Sequence, residues 1–396
     1  MRYERCFIPM GGAWSSPFAR WQGALGEVSS LDLVADVTRR ALGDRGVDPE
    51  QLTGFALGMT IPQHGSFYGA STVAARIGAG RLSGPMIGQA CATSVAVLAH
   101  AAAAVDGDGG LVLGLTTDRT SNGPHVLYPS PSTPGGRGSR EDLPWDSFVS
   151  DPLTGESMIA TAEAVAAEAG FARSQLDEVT ALRYSQYENA LADERAFQRR
   201  YMVPVETKDA RGKPVVVDED VGVRPTTLDQ LTGLRPSVDG GVVTGGTQTH
   251  PADGCAGVLV TTEQRARELG RSGAAARLLS TGFARVEAAR MPKAPVPAAR
   301  AALEAAGVAI DDVHVITTHN PFAVNDLWLG RELGVPHERI NPYGCSLVYG
   351  HPQAPTGSRA LAELLEALAV RGGGIGLFTG CAAGDTGAAA LVQLDG

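Results

Sequence analysis

The amino-acid sequence predicts an α/β protein built from two related halves with an insertion between them. Three features predict it. A helix, turn and strand unit near the N-terminus returns in the second half of the chain. Each half then carries a glycine-led apolar strand of the fully buried kind, and a long stretch of different composition separates the two. One copy of a unit in each half signals a duplicated domain, because a solenoid would repeat it every few tens of residues.

The elements follow in order. Residues 31–60, "LDLVADVTRRALGDRGVDPEQLTGFALGMT", have the apolar spacing of a helix that stops at Gly46, then a turn with Pro49 and a short strand. "GQACATS", residues 88–94, opens an alanine-rich helix, and "GGLVLGLTTD" follows as a buried strand. The Ser/Gly/Pro-rich segment 117–144 predicts a long ordered loop. Two helical segments come next, "ESMIATAEAVAAEAG" and "ARSQLDEVTALRYSQYENALADERAF"; the charged face over 177–199 reads as solvated surface. The first unit returns as "VPAARAALEAAGVAIDDVHVITTHN", with a helix ending at Gly307. The glycine-rich turn "GHPQAPTGS" then opens the helix "SRALAELLEALAV", and "GGIGLFTGCAAG" is the closing strand. The expected divisions are 1–117 as the N-terminal half, completed by about 245–270, 118–244 as an insertion covering a pocket, and 271–396 as the C-terminal half.

The repeat also works as a ruler. Ala41-Leu42 matches Ala302-Leu303 and Gly46-Val47 matches Gly307-Val308, an offset of 261 in both cases. The same offset carries Cys91 to one residue past His351, so these two side chains are expected at corresponding turns. Cys381 closes the last strand, and packing of the halves about a pseudo-twofold axis brings all three to one pocket.

Composition narrows the functions. With 396 residues and 43% apolar side chains the chain can bury a sizeable core. A net charge of −10 argues against nucleic acid and a basic membrane surface as partners. The start "MRYERCFIPMGGAW" lacks a signal-peptide core, and no unbroken run of about 18 apolar residues occurs, so a cytoplasmic protein is expected. Five cysteines without a C-x-x-C pair suggest neither a disulfide framework nor a metal site.

A cysteine at a strand-to-helix turn gains thiolate character from the helix N-terminus, which makes Cys91 a candidate nucleophile. Attack on a thioester or an adjacent ketone also needs a proton acceptor, for which His351 is the candidate. It further needs oxyanion donors, for which the backbone N–H groups at Cys91 and Ala383 are candidates. A second thiol, Cys381, suits a reaction that moves a proton to and from carbon. The pair describes a Claisen condensation run in either direction.

The chain resembles the thiolase superfamily over nearly its whole length. The likeness rests on "ACATS", "DRTSNGPHV", "VVTGGTQTHPADGCAGVLV", "HNPFA", "GHPQAPTGS" and "GCAAGDTGAAALV", in that order. The resemblance implies a five-layered α/β/α/β/α fold, CoA thioester substrates, an acyl-cysteine intermediate and no tightly bound cofactor or metal, coenzyme A being substrate and product. It implies Cys91 as nucleophile, His351 as its base and Cys381 as acid/base. It also implies a homodimer or homotetramer.

Departures from the commonest thiolase pattern mark His319, which stands where many thiolases have asparagine and is expected to help bind the thioester oxygen. The His319-Asn320-Pro321-Phe322 motif is similar to that of sterol-carrier-type thiolases, some of which work with a small zinc- and OB-fold-bearing accessory chain. Thr249 stands at the serine that lines the pantetheine channel. Lys208, Arg211, Lys213 and Arg224 are candidate partners for the CoA phosphates, while Phe322, Met86 and residues 144–158 are candidates for the acyl pocket. His125 and His250 read as surface or supporting residues, and Cys6, Cys255 and Cys345 as packing. "GGGIG" at 372–376 precedes a strand, and "ARGKPV" lacks a P-loop's spacing, so neither reads as a nucleotide site. The rival readings are a decarboxylating or carrier-protein-dependent condensing enzyme of the same fold, which has no need of Cys381, and a subunit that requires the accessory partner.

Overall fold

The structure is a computed structural model that describes residues 1–121, 123–132, 135–209 and 211–396. Position 122, inside the "DRTSNGPHV" motif, and positions 133, 134 and 210 lie outside the described residues. The strands of the main sheet path are β1 (Phe7–Pro9), β2 (Gly54–Gly58), β3 (Met86–Ile87), β4 (Leu111–Arg119), β5 (Ala252–Thr261), β6 (Ala275–Arg285), β7 (Val313–His319), β8 (Gly374–Ala382) and β9 (Thr386–Leu394). Their order is β7-β8-β9-β6-β1-β5-β4-β2-β3, with two short strands near the N-terminus added on β5.

The duplication is visible in the pairing. In the N-terminal half β2 runs parallel to β4 and β4 antiparallel to β5, and in the C-terminal half β7 runs parallel to β8 and β8 antiparallel to β9. The three-residue β1 pairs with both β5 and β6 and so joins the two sheets. Gly46 and Gly307, the equivalent glycines of the repeat, both hold left-handed φ angles, +63° and +69°, where any side chain would strain the turn.

The main helices are α1 (Ser30–Asp44), α2 (Thr93–Asp108), α3 (Met158–Ala169), α4 (Arg173–Arg195), α5 (Pro295–Ala306), α6 (Ala323–Leu333) and α7 (Pro355–Arg371). α2 and α7 touch each other and both sheets, α1 covers the outer face of β4 and β5, and α5 packs outside β6, β8 and β9. Helix, sheet, paired helices, sheet and helix make the five layers. A middle-layer helix meets protein on every side, and α7 is buried without a break from Pro355 to Leu368. Residues 90–108 match a membrane span in length and hydropathy, yet most of that stretch is buried in this middle layer.

Between β4 and β5 the described chain adds no strand to the large sheet. The loop expected over 117–144 instead contains a small hairpin, His125–Tyr128 paired with Ser139–Asp142, followed by a short helix, Leu143–Val149. A second hairpin pairs Val205–Lys208 with Pro214–Val217. The charged face of α4 is likewise only partly solvated. Arg183 is fully buried, with Nε 2.7 Å from Asp326 and Nη1 donating to the carbonyls of His337 and Ile340. Helical periodicity puts charges on one side but does not say what packs there, and here α6 does.

A buried ionic cluster ties this inserted region to the middle layer. Arg359 of α7 forms two bonds to Asp220, at 2.6 and 2.8 Å, and one to Glu363 at 3.0 Å, while lying 3.6 Å from the Tyr349 ring centre. Tyr187 donates to Asp220, and Tyr201 and Tyr349 donate to Glu363. Substituting Arg359 with leucine is expected to cost about 3–5 kcal/mol, because two carboxylates would stay buried without their cation. Urea denaturation checks this, and an unchanged midpoint would refute it.

Candidate active site

Each side chain expected at the site sits at the end of a sheet or helix that aims it inward. Cys91 lies in the turn between β3 and α2, after Ala90, whose φ of +44° is unusual for a residue with a Cβ. Thr93 holds this turn by donating to the Ala90 carbonyl and accepting from the Gln89 N–H. His351 precedes α7, and its N–H donates to the His250 carbonyl. His319 ends β7, and Cys381 lies near the end of β8, beside the turn that carries Ala383. Gly380, across from His319 on β8, has no room for a side chain: a Cβ there would stand 2.8 Å from that of His319.

The groups converge. Cys91 Sγ is 3.1 Å from His351 Nε2, and His351 Nδ1 is 2.7 Å from the Thr356 hydroxyl. The His319 ring stacks on that of His351 with centroids 4.0 Å apart and planes at 22°. Ser346 Oγ is 3.2 Å from His319 Nδ1, while His319 Nε2 is buried with no hydrogen-bond partner among the described residues. The N–H groups of Ala383 and of Cys91 itself point at the Cys91 sulfur. Cys381 is buried close enough for Cys91 to affect its ionisation, and Asn325 Nδ2 donates to its sulfur at 3.3 Å.

Cys91 and His351 open onto a cavity of about 630 Å³, lined also by Ala383, Thr249 and Phe322 among others, while His319 and Cys381 are buried outside its lining. Most of the 144–158 stretch also lines it, from Pro144 and Trp145 to Ser157 and Met158. Met86 does not; it is partly exposed on the edge strand β3. Lys208, Arg211, Lys213 and Arg224 are exposed and outside the lining. His125 is exposed beside Arg140 and Asp142, and Cys6, Cys255 and Cys345 are buried among core residues. Among the described residues one group could hold a metal ion, Cys91, His319 and His351, with donor atoms all within 4.8 Å.

Two family matches decide what this constellation belongs to. Residues 11–264 match the thiolase N-terminal domain and residues 272–394 the thiolase C-terminal domain. The chain belongs to the thiolase family. It is 32% identical to the 3-oxoadipyl-CoA/3-oxo-5,6-dehydrosuberyl-CoA thiolase of Escherichia coli strain K12, with 96% of this chain and 97% of the relative aligned. The solved acetyl-CoA acetyltransferase of Bacillus anthracis superposes with a TM-score of 0.90 at 26% identity, covering 99% of both chains. Human mitochondrial 3-ketoacyl-CoA thiolase, solved with CoA, superposes with a TM-score of 0.89 at 24% identity over 99% of each chain. As a thiolase the protein is an acyltransferase that cleaves a 3-ketoacyl-CoA thiolytically or runs the reverse condensation, with CoA as substrate and product. These matches do not favour the decarboxylating alternative.

Burial dominates the electrostatics of this thiolase site. It pushes the Cys91 thiol up to about 12, against the pull of the surrounding N–H groups. The thiolate expected from the helix N-terminus alone is therefore corrected: the resting group is the thiol. Burial also holds His319 at about 3 and His351 well below its usual value, with the neighbouring His319 adding to the second shift. Burial raises Cys381 well above an ordinary thiol. The free site is a neutral thiol beside neutral imidazoles, so a proton has to move as the sulfur attacks.

Four supporting residues were not identified from the sequence. Asp118, first residue of a quoted motif, accepts from the N–H groups of Thr60, Ile61 and Ala354 and ties the His351 loop to the N-terminal half. Thr356 and Asn325 orient His351 and Cys381. Gln353, with a left-handed φ of +65°, places its Oε1 3.1 Å from Cys91 Sγ and also bonds to His351. Its side-chain carbonyl is thus an acceptor for the travelling proton on both carriers. Exchange of Gln353 for leucine should slow acylation of Cys91 about 10- to 100-fold, the worth of a hydrogen bond to a charged group, with the fold intact. Stopped-flow CoA release measures it, and an unchanged rate would remove Gln353 from this role.

Proposed function

We propose that Cys91 takes the acyl group, His351 serves as its base, Cys381 exchanges the proton on carbon and His319 steadies the thioester enolate. The observation that carries the reading is the 3.1 Å contact between Cys91 and His351 at the floor of the cavity, with Cys381 buried beside it. A hydrogen bond from His351 Nδ1–H to Thr356 leaves Nε2 bare to accept the Cys91 proton. Ser346 Oγ, which donates to Asn320 Oδ1, holds the His319 ring at Nδ1, and His319 Nε2 stays without a partner among the described residues.

In the cleavage direction Cys91 Sγ bonds to the 3-keto carbon while its proton passes to His351 Nε2. The carbonyl oxygen becomes an oxyanion facing the N–H groups of Cys91 and Ala383. Collapse breaks the bond between C2 and C3, the electron pair moves into the thioester enolate under His319, and the Cys381 thiol protonates C2. Acetyl-CoA leaves. A CoA thiol then attacks the acyl carbon, giving its proton to the Cys381 thiolate, and Cys91 departs with the proton held by His351.

Thr249 belongs to the pantetheine path, where its hydroxyl donates to the Ser346 carbonyl. Lys208, Arg211, Lys213 and Arg224 supply exposed cations for the CoA phosphates. A homodimer or homotetramer is supported by the edge strand β3 and by Phe67 and Tyr68, 87% and 71% exposed in the same half. A cytoplasmic setting in lipid metabolism fits five free cysteines and an acyl-CoA substrate. The second reading, association with a zinc- and OB-fold-bearing accessory chain, rests on the likeness of the His319 motif alone; recovery of activity on adding such a chain to an inactive preparation is its test. The test of the main reading is intact-protein mass after brief incubation with acetyl-CoA. An acetyl adduct mapping to Cys91 supports it, and an adduct elsewhere overturns it.

A further inference from the structure

We infer that the acyl group this thiolase accepts is an apolar chain of medium length or longer, in preference to acetoacetyl or a dicarboxylic acyl group. This rests on the proposed function and concerns the far wall of the same cavity. At about 630 Å³ the cavity, which takes in both the pantetheine path at Thr249 and the acyl end, lies mid-range for sites that enclose a ligand of drug size, so the chemistry of its wall rather than its volume marks the acyl preference.

The wall is apolar on three sides. Leu143, Trp145 and Phe148 face it from the short helix after the first hairpin, Met158 from the start of α3, Met291 from the loop before α5, and Phe322 from the loop after β7. Met291 and Phe322 belong to the buried cluster that also contains Cys381, with Met158 packed against it, so the apolar surface is continuous with the reacting carbons. Trp145 is braced edge-on by Trp21 at 4.9 Å and contacts Phe148 in the same way, which fixes a broad, flat surface. The two methionines let that wall adapt to an apolar chain.

The charges point the same way. No lysine or arginine is among the described residues that line the cavity. Its single charged lining residue, Asp151, is an acceptor whose Oδ1 already takes the N–H groups of Leu153 and Thr154. A carboxylate at the end of an acyl chain would find no cation there and one like charge, and burying it unpaired is strongly unfavourable. The 32%-identical relative named for 3-oxoadipyl-CoA is therefore expected to differ from this chain in substrate.

The test compares kcat/KM for CoA-dependent cleavage of 3-ketodecanoyl-CoA, acetoacetyl-CoA and 3-oxoadipyl-CoA by the full-length protein. The decanoyl substrate should exceed acetoacetyl by about 10-fold or more, with 3-oxoadipyl lowest. Phe148→Arg, on a partly exposed helix where a charge is tolerated, should lower the decanoyl value and raise the oxoadipyl one; its urea midpoint controls for folding. Preference for acetoacetyl or 3-oxoadipyl by the wild type would overturn the inference while leaving the acyl-cysteine mechanism standing. No adduct on Cys91 from any acyl-CoA, together with no cleavage of the three, would instead overturn the mechanism on which it rests.

Discussion

Cys91→Ser is expected to lose acyl transfer by on the order of 10⁴-fold or more, with no acyl adduct visible by mass, while the protein folds normally. Serine differs from cysteine by one atom, and the surrounding hydrogen bonds can form with either. The reason for the loss is electrostatic. His351 has a hydroxyl, Thr356, behind it and no carboxylate, so nothing near its Nδ1 offsets the positive ring that would form on deprotonating an alcohol. A thiol gives up its proton far more readily and needs less from that base. A Cys91→Ser variant that still accumulated an acyl adduct at a tenth of the wild-type rate, mapping away from position 91, would show that another side chain is the nucleophile.

The same electrostatics set a pH dependence. Burial keeps Cys91 protonated up to about 12 and His351 neutral far below its ordinary value, so neither group titrates in the neutral range. Asp118 and Asp253, held up by burial at about 7 and about 6, are ionised above it. From about pH 7.5 to about 9 the acylation rate is therefore expected to be nearly flat. A free thiol of ordinary pKa would instead give a rate climbing with pH, and a stopped-flow profile that climbs tenfold per unit there would mean that a solvent-equilibrated thiolate attacks.

Much of this site was legible because the fold is duplicated. The repeat puts Cys91 and His351 at equivalent turns, and they stand 3.1 Å apart. The strands and helices of both halves were legible too, since glycine-led apolar runs and left-handed glycines at 46 and 307 are local signals. What escaped depended on which elements face one another. Gln353 reads as an ordinary turn residue until α7 is packed against α2, and Arg183 reads as a solvated charge until Asp326 arrives from a distant segment. The sign of the Cys91 shift was missed for the same reason. A helix N-terminus is visible in a sequence, but the depth at which it is buried follows from five layers closing around it.

Cys381→Ala separates the two halves of the reaction. Acetylation of Cys91 by acetyl-CoA releases a CoA thiolate, which is stable near neutral pH and leaves with little help. Making or breaking the carbon–carbon bond requires a proton to leave or reach C2, and carbon is a far weaker acid than a thiol. The variant should therefore still form the acetyl adduct within a few-fold of the wild-type rate, while condensation and cleavage fall by about 10²- to 10⁴-fold, the range of one general acid/base. Burial raises the Cys381 thiol well above ordinary values, which makes its conjugate thiolate a stronger base and narrows the gap to the carbon acid. Asn325 at 3.3 Å keeps that sulfur aimed. Exchange of the acetyl-CoA methyl protons with deuterated solvent reads the step directly: it should proceed with wild type and stop with Cys381→Ala. Exchange at the wild-type rate in the variant would move the proton transfer to His319 or His351 and leave Cys381 as packing.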